Sequence, residues 1–234
     1  MRIEVWSDVV CPWCYIGKRR LERALEQFAH ADEVEVVYRS FELDPAAPKR
    51  ATEPVVEVLA RKYGGGVDNA RAMMVRVSEV AASEGLEYHL DRTLRGSTVD
   101  AHRLLHLALD EHGPHVQATL KEALLAAYFT AVEDVADPEV LRKVAAGTGL
   151  DPERVDQVLG GDEYAGAVRA DVAEARALGA TGVPFFVVDR RYGVAGAQPV
   201  EALLEVLDKA WAHGRATVTM VGAESDVCGP DGCY

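Results

Sequence analysis

The sequence predicts an α/β fold in which the two ends of the chain build one sheet-bearing unit around a large all-helical insertion. Three observations carry that prediction. Strand-like segments rich in β-branched and aromatic residues lie near the ends, at 2–10, at 34–43 and from 185 onward. Between them, residues 52–178 repeat apolar side chains at helical spacing, punctuated by short glycine- and proline-bearing breaks. The chain is also long enough, since 234 residues that are 49% hydrophobic can bury one large core or a core with an appended subdomain.

In order, RIEVWSDVV (2–10) alternates Ile3, Val5 and Ser7 against Arg2, Glu4 and Trp6 and then turns continuously apolar, as a buried strand can. From Cys14 onward, Gly17, Leu21, Ala24, Leu25 and Phe28 fall on one helical face, with Lys18, Arg19, Arg20, Glu22 and Glu26 on the other. VEVVYRSFEL (34–43) reads as a second strand, which DPAAP ends. Helices then follow one another, broken at YGGG, SEGLEY, EHGP, VADPEV and GTGLDPE, with no strand expected among them. Asp137 and Asp151, each followed by Pro and Glu, are N-cap candidates with proline at the first helical position. After ALGATGVP, FFVVDRRYGVAGA reads as two short strands joined by a turn at Asp189 to Arg191, and PVEALLEVLDKAW as a last amphipathic helix. Residues 1–48 and 179–213 therefore form one discontinuous domain, 49–178 an inserted helical domain and 214–234 a tail. Such an insertion is too long for a loop and must bury apolar faces of its own.

The 38 acidic residues outnumber the 25 basic ones, for a formal net charge of −13, which disfavours nucleic acid as a partner. MRIEVWSDVV lacks the apolar core of an export signal and carries Glu4 and Asp8 where that core would lie, so a cytoplasmic location is expected. No apolar run approaches the roughly 18 residues of a bilayer-spanning helix, and no membrane association is expected. With only four cysteines, paired as Cys11 with Cys14 and Cys228 with Cys233, redox or metal chemistry is a better reading than a structural disulfide framework.

Cys11 stands where a strand ends and a helix begins. Unpaired N–H groups and the positive end of the helix dipole favour a thiolate there. Cys14, one turn inside, can attack a mixed disulfide formed at Cys11, and burial is expected to keep it protonated until then. Pro12 suits the helix start, where its missing N–H is no loss. Zinc would need two more ligands, which Cys228 and Cys233 can supply; a strand-to-helix junction is an unusual zinc knuckle, and no metal site is expected. In GATGVPFF (179–186), Val183 before Pro184 is expected to adopt a cis bond beside the thiols, proline cutting the trans preference to about 0.5–1 kcal/mol. The Val183 backbone would then offer an edge to an extended substrate. An ordinary trans proline opening an edge strand is the competing reading.

CPWC after the first strand, TGVP before the third, and the helical block between them resemble the DsbA-like thioredoxin superfamily. The segments WSDVVCPWCYIGKRRLE, STVDAHRLLHLA, AYFTAVEDVADPEVL and GATGVPFFVVDRRYGVAGAQP resemble in particular its FrnE-like branch, which is grouped with the 2-hydroxychromene-2-carboxylate isomerases. The resemblance covers about residues 1–210. It implies a thioredoxin-like fold with a large all-helical insertion, and a thiol–disulfide oxidoreductase with Cys11 as nucleophile and Cys14 as resolving thiol. Its partners would be a protein or small-molecule disulfide or thiol and a cellular thiol reductant or oxidant. It needs no cofactor beyond the redox-active disulfide, with glutathione a candidate co-substrate. Two alternatives stay open. One is a glutathione-dependent isomerase or kappa-class-like transferase, although such relatives typically carry serine where Cys11 stands. The other is a non-enzymatic chaperone or scaffold of a secondary-metabolite pathway.

Val183, Pro184, Pro12 and Trp13 are the expected substrate-binding residues, Trp13 either on the surface beside Cys11 or packed onto the inserted helices. The resemblance places the STVDAHRLL helix near the thiols, implying that Ser97 or His102 lines the substrate groove. His102 and His106 lie four apart on one helical face, but no acidic third ligand is placed with them for a metal. Asp8 reads as a loop or capping carboxylate rather than a proton shuttle. In the tail, Gly229, Pro230, Asp231 and Gly232 suit a type I turn that brings Cys228 and Cys233 together. A bridge there would be worth about 2 kcal/mol, too little and too local to hold the fold. Similarity to tails of some FrnE-like chains implies an auxiliary redox pair, with metal binding or an inert tail as the other readings.

Overall fold

The computed structural model describes residues 1–214 and two short strands at 228–229 and 232–233. The amino-terminal part gives β1 (Arg2–Ser7), α1 (Pro12–Gln27) and β2 (Glu35–Ser40). The insertion gives β3 (Glu53–Pro54), α2 (Val55–Tyr63), α3 (Gly66–Ser83), β4 (Leu94–Arg95), α4 (Val99–Phe129), α5 (Pro138–Ala146), α6 (Pro152–Gly160) and α7 (Ala165–Ala177). The chain then returns as β5 (Phe185–Val188), β6 (Tyr192–Ala195) and α8 (Val200–Gly214), followed by β7 (Cys228–Gly229) and β8 (Gly232–Cys233).

The main sheet has the order β2-β1-β5-β6. β1 and β2 run parallel, with Val5 opposite Tyr38, because α1 provides the crossover that a parallel pair needs. β5 lies antiparallel to β1 on its other side, with Val5 opposite Phe186, and β6 pairs antiparallel with β5. Asp189 and Arg190 both take positive φ, 47° and 57°, and make the tight turn between β5 and β6. Asp189 Oδ1 accepts the Arg2 N–H at 2.7 Å, so this turn also fastens the start of β1.

The alternation along β1 does not separate an inner from an outer face. Glu4 and Trp6 are buried along with Ile3 and Val5, because both sheet faces are covered. Ile3 and Val5 pack with Leu21, Ala24 and Phe28 of α1 and with Leu203 and Leu207 of α8. Trp6 packs with Ala175 of α7 and with Phe185 and Val187, and its indole N–H donates to the Asp171 carbonyl at 2.8 Å. The buried Glu4 carboxylate is met by Arg39 at 2.6 Å and Arg190 at 2.9 Å. Helices α4 and α7 of the insertion pack on β2 and so supply the second layer of the sheet. The insertion therefore does not bury its apolar faces among its own helices alone.

Two further expectations are corrected. Residues 52–178 contain strand after all, the two-residue antiparallel pair β3–β4, in which Glu53 faces Arg95. Lys18 is not on a solvated face; it is buried and paired with Glu22 and Glu122, each at 2.5 Å. The break expected at EHGP is present: Gly113, at φ 82° and ψ −179°, is not helical, so α4 consists of two helical segments that meet at a kink just before Pro114. The local helix starts match the sequence, since Asp137 and Asp151 accept the N–H groups of Glu139 and Glu153 at 2.9 and 3.0 Å.

Candidate active site

Cys11 is the N-cap of α1, with Pro12 at the first helical position. Its backbone carbonyl accepts the Cys14 N–H at 3.0 Å, closing the first turn and stacking the second cysteine beneath the first. Both cysteines are free thiols, 4% and 3% exposed, so exposure does not distinguish them. Position on the helix does. The Cys11 thiol faces the Val183 carbonyl, with Sγ 3.7 Å from the oxygen. The Val183–Pro184 bond is cis, and the Pro184 ring packs on α1 where Gly17 leaves room for it. Burial, together with hydrogen bonding and charge from Cys11, raises the Cys14 thiol well above its ordinary range; the charge of Lys121 and the backbone amide of Asp8 oppose that. Trp13, between the two cysteines in sequence, is 43% exposed, so the site presents an aromatic face to solvent.

The layer under the thiols holds charge. Asp8 is buried and accepts three hydrogen bonds: from the Val9 N–H at 2.8 Å, from the Leu43 N–H at 2.8 Å, and from His102 Nε2 at 3.2 Å. Burial alone would raise its carboxyl, but His102, the Leu43 amide and Lys121 together hold it below the usual value. Lys121, in α4, is also buried and donates to the Ser7 carbonyl at 3.3 Å. Burial lowers its ammonium to about 8, against the restraining charges of Cys14, Asp8 and Cys11. On another side, the Tyr88 hydroxyl donates to the Pro12 carbonyl at 2.8 Å and its ring stacks on Phe129 at 4.5 Å. Tyr88 also lines a groove of ≈ 710 Å³ in the insertion, together with Met74, Val75, Leu86 and Leu90.

Helix α1 is clamped to α4 next to the thiols. Glu122 accepts from Tyr15 at 2.6 Å and from Lys18 at 2.5 Å and is paired with Arg19. Partial burial would raise Glu122, but these three donors overcome it and lower the carboxyl to about 2. Neighbouring residues 121 and 122 of one helix thus serve two purposes, Lys121 facing the thiol layer and Glu122 facing α1.

The expected site residues are only partly brought together. Cys11, Cys14, Pro12, Trp13, Val183 and Pro184 converge. His102 does not line a groove: it is fully buried, pointing Nε2 at Asp8, and its Nδ1 has no partner among the described residues. Ser97 is half-buried ahead of α4; its N–H donates to the Pro48 carbonyl at 2.8 Å and its hydroxyl accepts the Val99 N–H at 3.4 Å. His102 and His106 serve separate carboxylates, His106 Nε2 lying 3.0 Å from Asp171. Asp8 fills the loop-capping role expected of it. Cys228 and Cys233 face each other in the backbone register of β7 and β8, but their side chains, and with them any bridge, lie outside the described residues, as do Pro230 and Asp231. Lys121, Tyr88 and Glu122 are absent from the sequence reading. The one local signal for Lys121 is its place in the apolar stripe of α4, between the buried Gln117 and Leu125.

Comparison with known proteins agrees with this fold. A crystal structure of a probable DsbA oxidoreductase from Streptomyces coelicolor is 47% identical over 100% of this chain and 98% of its own, with a TM-score of 0.86. The same fold recurs in a 2-hydroxychromene-2-carboxylate isomerase, 12% identical over 92% of this chain and 98% of that one, TM-score 0.66. It recurs again in DsbM, a cytosolic disulfide reductase of Pseudomonas aeruginosa determined with GSH, 16% identical over 91% of this chain and 100% of that one, TM-score 0.63. The family model of the DSBA-like thioredoxin domain matches residues 2–208, so this chain, with its cysteine pair at the start of α1, belongs to the DSBA-like thioredoxin family.

Proposed function

We propose that the chain is a cytosolic thiol–disulfide oxidoreductase whose working pair is Cys11 and Cys14. The observation that carries this reading is the stacking of two free thiols on the first turn of α1, the outer one against the Val183 carbonyl. In the reducing direction, Cys11 as thiolate attacks one sulfur of a substrate disulfide. A Cys11–substrate disulfide forms, the substrate S–S bond breaks, and the second substrate sulfur leaves as a thiolate that takes up a proton. Cys14 then gives up its proton and attacks the Cys11 sulfur, so a Cys11–Cys14 disulfide forms and the remaining substrate thiolate departs. The two electrons come from the dithiol, and the reverse sequence oxidises a substrate dithiol.

The Val183 backbone is assigned to hold an extended substrate segment and Trp13 to cover its apolar part. A cellular monothiol of the glutathione type is assigned to return the pair to the dithiol state; no further cofactor enters. Cys228 and Cys233 are assigned to pass electrons between this pair and an outside partner, on the strength of the sequence alone.

The test is covalent trapping. With a disulfide-bonded peptide, Cys14→Ser should accumulate an adduct on Cys11, and Cys11→Ser should form none on Cys14. Equal adducts on both variants, or none on either, would refute the pair's roles. Turnover of the same peptide by a chain ended after Ala223 should differ from that of the full chain, and identical turnover would remove the tail from the cycle.

A further inference from the structure

We infer that the groove of ≈ 710 Å³ lined by α3 and the segment leading from it to β4 is a second substrate subsite. It takes an apolar stretch bearing a basic side chain, from the polypeptide whose disulfide is attacked at Cys11. The inference rests on the oxidoreductase reading and adds a substrate class to it. Three observations carry it, and the first is continuity with the thiols. Tyr88 lines the groove, and its hydroxyl donates to the carbonyl of Pro12, the residue next to Cys11, at 2.8 Å. An extended chain advances about 3.3 Å per residue, so a polypeptide joined through its cysteine to Cys11 reaches Tyr88 within about four residues. The second observation is the apolar floor. Met74, Leu86 and Leu90 are 5%, 6% and 7% exposed, whereas Val75 on the same groove is 56% exposed. A cleft of this size, mostly apolar with a few polar groups, has the form of a binding site.

The third observation is charge. Glu79, Glu87 and Asp91 line the groove with one basic residue, Arg71, among the described residues, and all four are exposed. Glu87 is met by His89 at 3.1 Å. Glu79 and Asp91 have no partner among the described residues. Arg71 stands about 12 Å before Glu79 along α3, too far to neutralise it. Two free carboxylates beside an apolar floor suit a lysine or arginine with apolar neighbours, whose stem packs on the floor while its head stays at the wet rim. The net charge of −13 attracts such a partner from a distance. Val183 lies just ahead of β5 and the groove lies in the insertion, so the segments on either side of a substrate cysteine have separate places. That arrangement favours a polypeptide over a small disulfide.

The test uses the full chain with Cys228→Ser and Cys233→Ser, reduced, and three peptides whose single cysteine is joined by a disulfide to a coloured arylthiol. Cys11 as thiolate bonds to the peptide sulfur, the S–S bond breaks, and the arylthiolate leaves with the bonding electron pair. On each side of the cysteine the peptides carry Leu-Leu-Lys, Leu-Leu-Glu or Ser-Ser-Lys. The second-order rate constant for Leu-Leu-Lys should exceed that for Leu-Leu-Glu about fivefold and that for Ser-Ser-Lys about tenfold. Glu79→Lys with Asp91→Lys should bring the first ratio to about one or below. The same change of charge on exposed positions of α8, Glu201→Lys with Glu205→Lys, should leave most of it. Equal rates for either pair of peptides overturn the inference, as does a first ratio untouched by the groove variant or lowered equally by the α8 variant. No arylthiolate from any peptide overturns the oxidoreductase reading and the inference with it. Should the groove variant fail to fold, Cys14→Ser decides, because it holds the peptide on Cys11. A photoreactive group in place of the lysine should then crosslink within residues 71–91; crosslinks only elsewhere, or to a second copy of the chain, overturn the inference.

Discussion

At the scale of single residues, the thiol layer depends on Asp8. Its carboxylate is the acceptor for two backbone N–H groups and for His102, all in a buried place. Leaving buried donors unpaired costs far more than an average hydrogen bond contributes, so Asp8→Ala should lower stability by about 3 kcal/mol in chemical denaturation. Asp8→Asn keeps an oxygen for at least one of the amides and should lose less. If both variants match the parent, Asp8 is not the tie described here. The two cysteines are legible in the sequence because C-x-x-C at a helix start places both within one turn, a purely local relation. Lys121 is not legible: its partner Ser7 is 114 residues away, and a lysine in an apolar stripe has no meaning until that partner is known. His102 illustrates the converse. Its helix is brought close to the thiols, yet the side chain turns inward to Asp8, a choice made by a carboxylate 94 residues earlier.

At the scale of elements, α1 can sit on the sheet only because Gly17 lets it approach. A Cβ at that position would lie 2.9 Å from Pro184 Cγ and 3.3 Å from Phe186 Cζ. Alanine would gain about 0.5–1 kcal/mol of helix propensity, but overpacking against a rigid ring costs about 1–3 kcal/mol. Gly17→Ala should therefore be destabilising by about 1 kcal/mol and should slow adduct formation at Cys11, because α1 carries Cys11 away from Val183 as it shifts. A variant more stable than the parent would show that propensity wins. The helix starts at Asp137 and Asp151 can be read from sequence because a cap is a contact across two residues. The burial of both faces of β1 cannot, since the cover on the Trp6 side comes from α7, 165 residues later. The β3–β4 pair, two residues on each side, is too short to impose a period on its sequence.

At the scale of the whole molecule, the insertion and the two chain ends are one structure, because α4 and α7 roof the sheet and α4 also carries the groups beneath the thiols. The split between chain ends and insertion is visible in the change of period at residues 49 and 179, but the way the parts interlock is not, since it depends on contacts between distant segments. The clamp between α1 and α4 makes this interlock sensitive to acid. Glu122 falls from 4.5 to about 2 on folding, so its contribution is complete above about pH 4.5 and is lost as the pH drops toward 2. With partial exposure taken into account, that amounts to about 1–2 kcal/mol. Glu122→Gln should remove this part of the acid dependence, seen as a flatter stability profile between pH 5 and 2; an unchanged profile would show that other carboxylates carry it.

The central claim is that Cys11 and Cys14 form one reversible redox pair. Its most direct measurement is equilibration of the chain, with Cys228 and Cys233 replaced by serine, in glutathione buffers of graded ratio, followed by acid quenching and mass analysis of the peptides. The predicted result is a Cys11–Cys14 disulfide whose fraction follows the glutathione ratio and is the same from either starting state. Two thiols that stay unpaired at every ratio, or that each carry glutathione separately without joining, would contradict it.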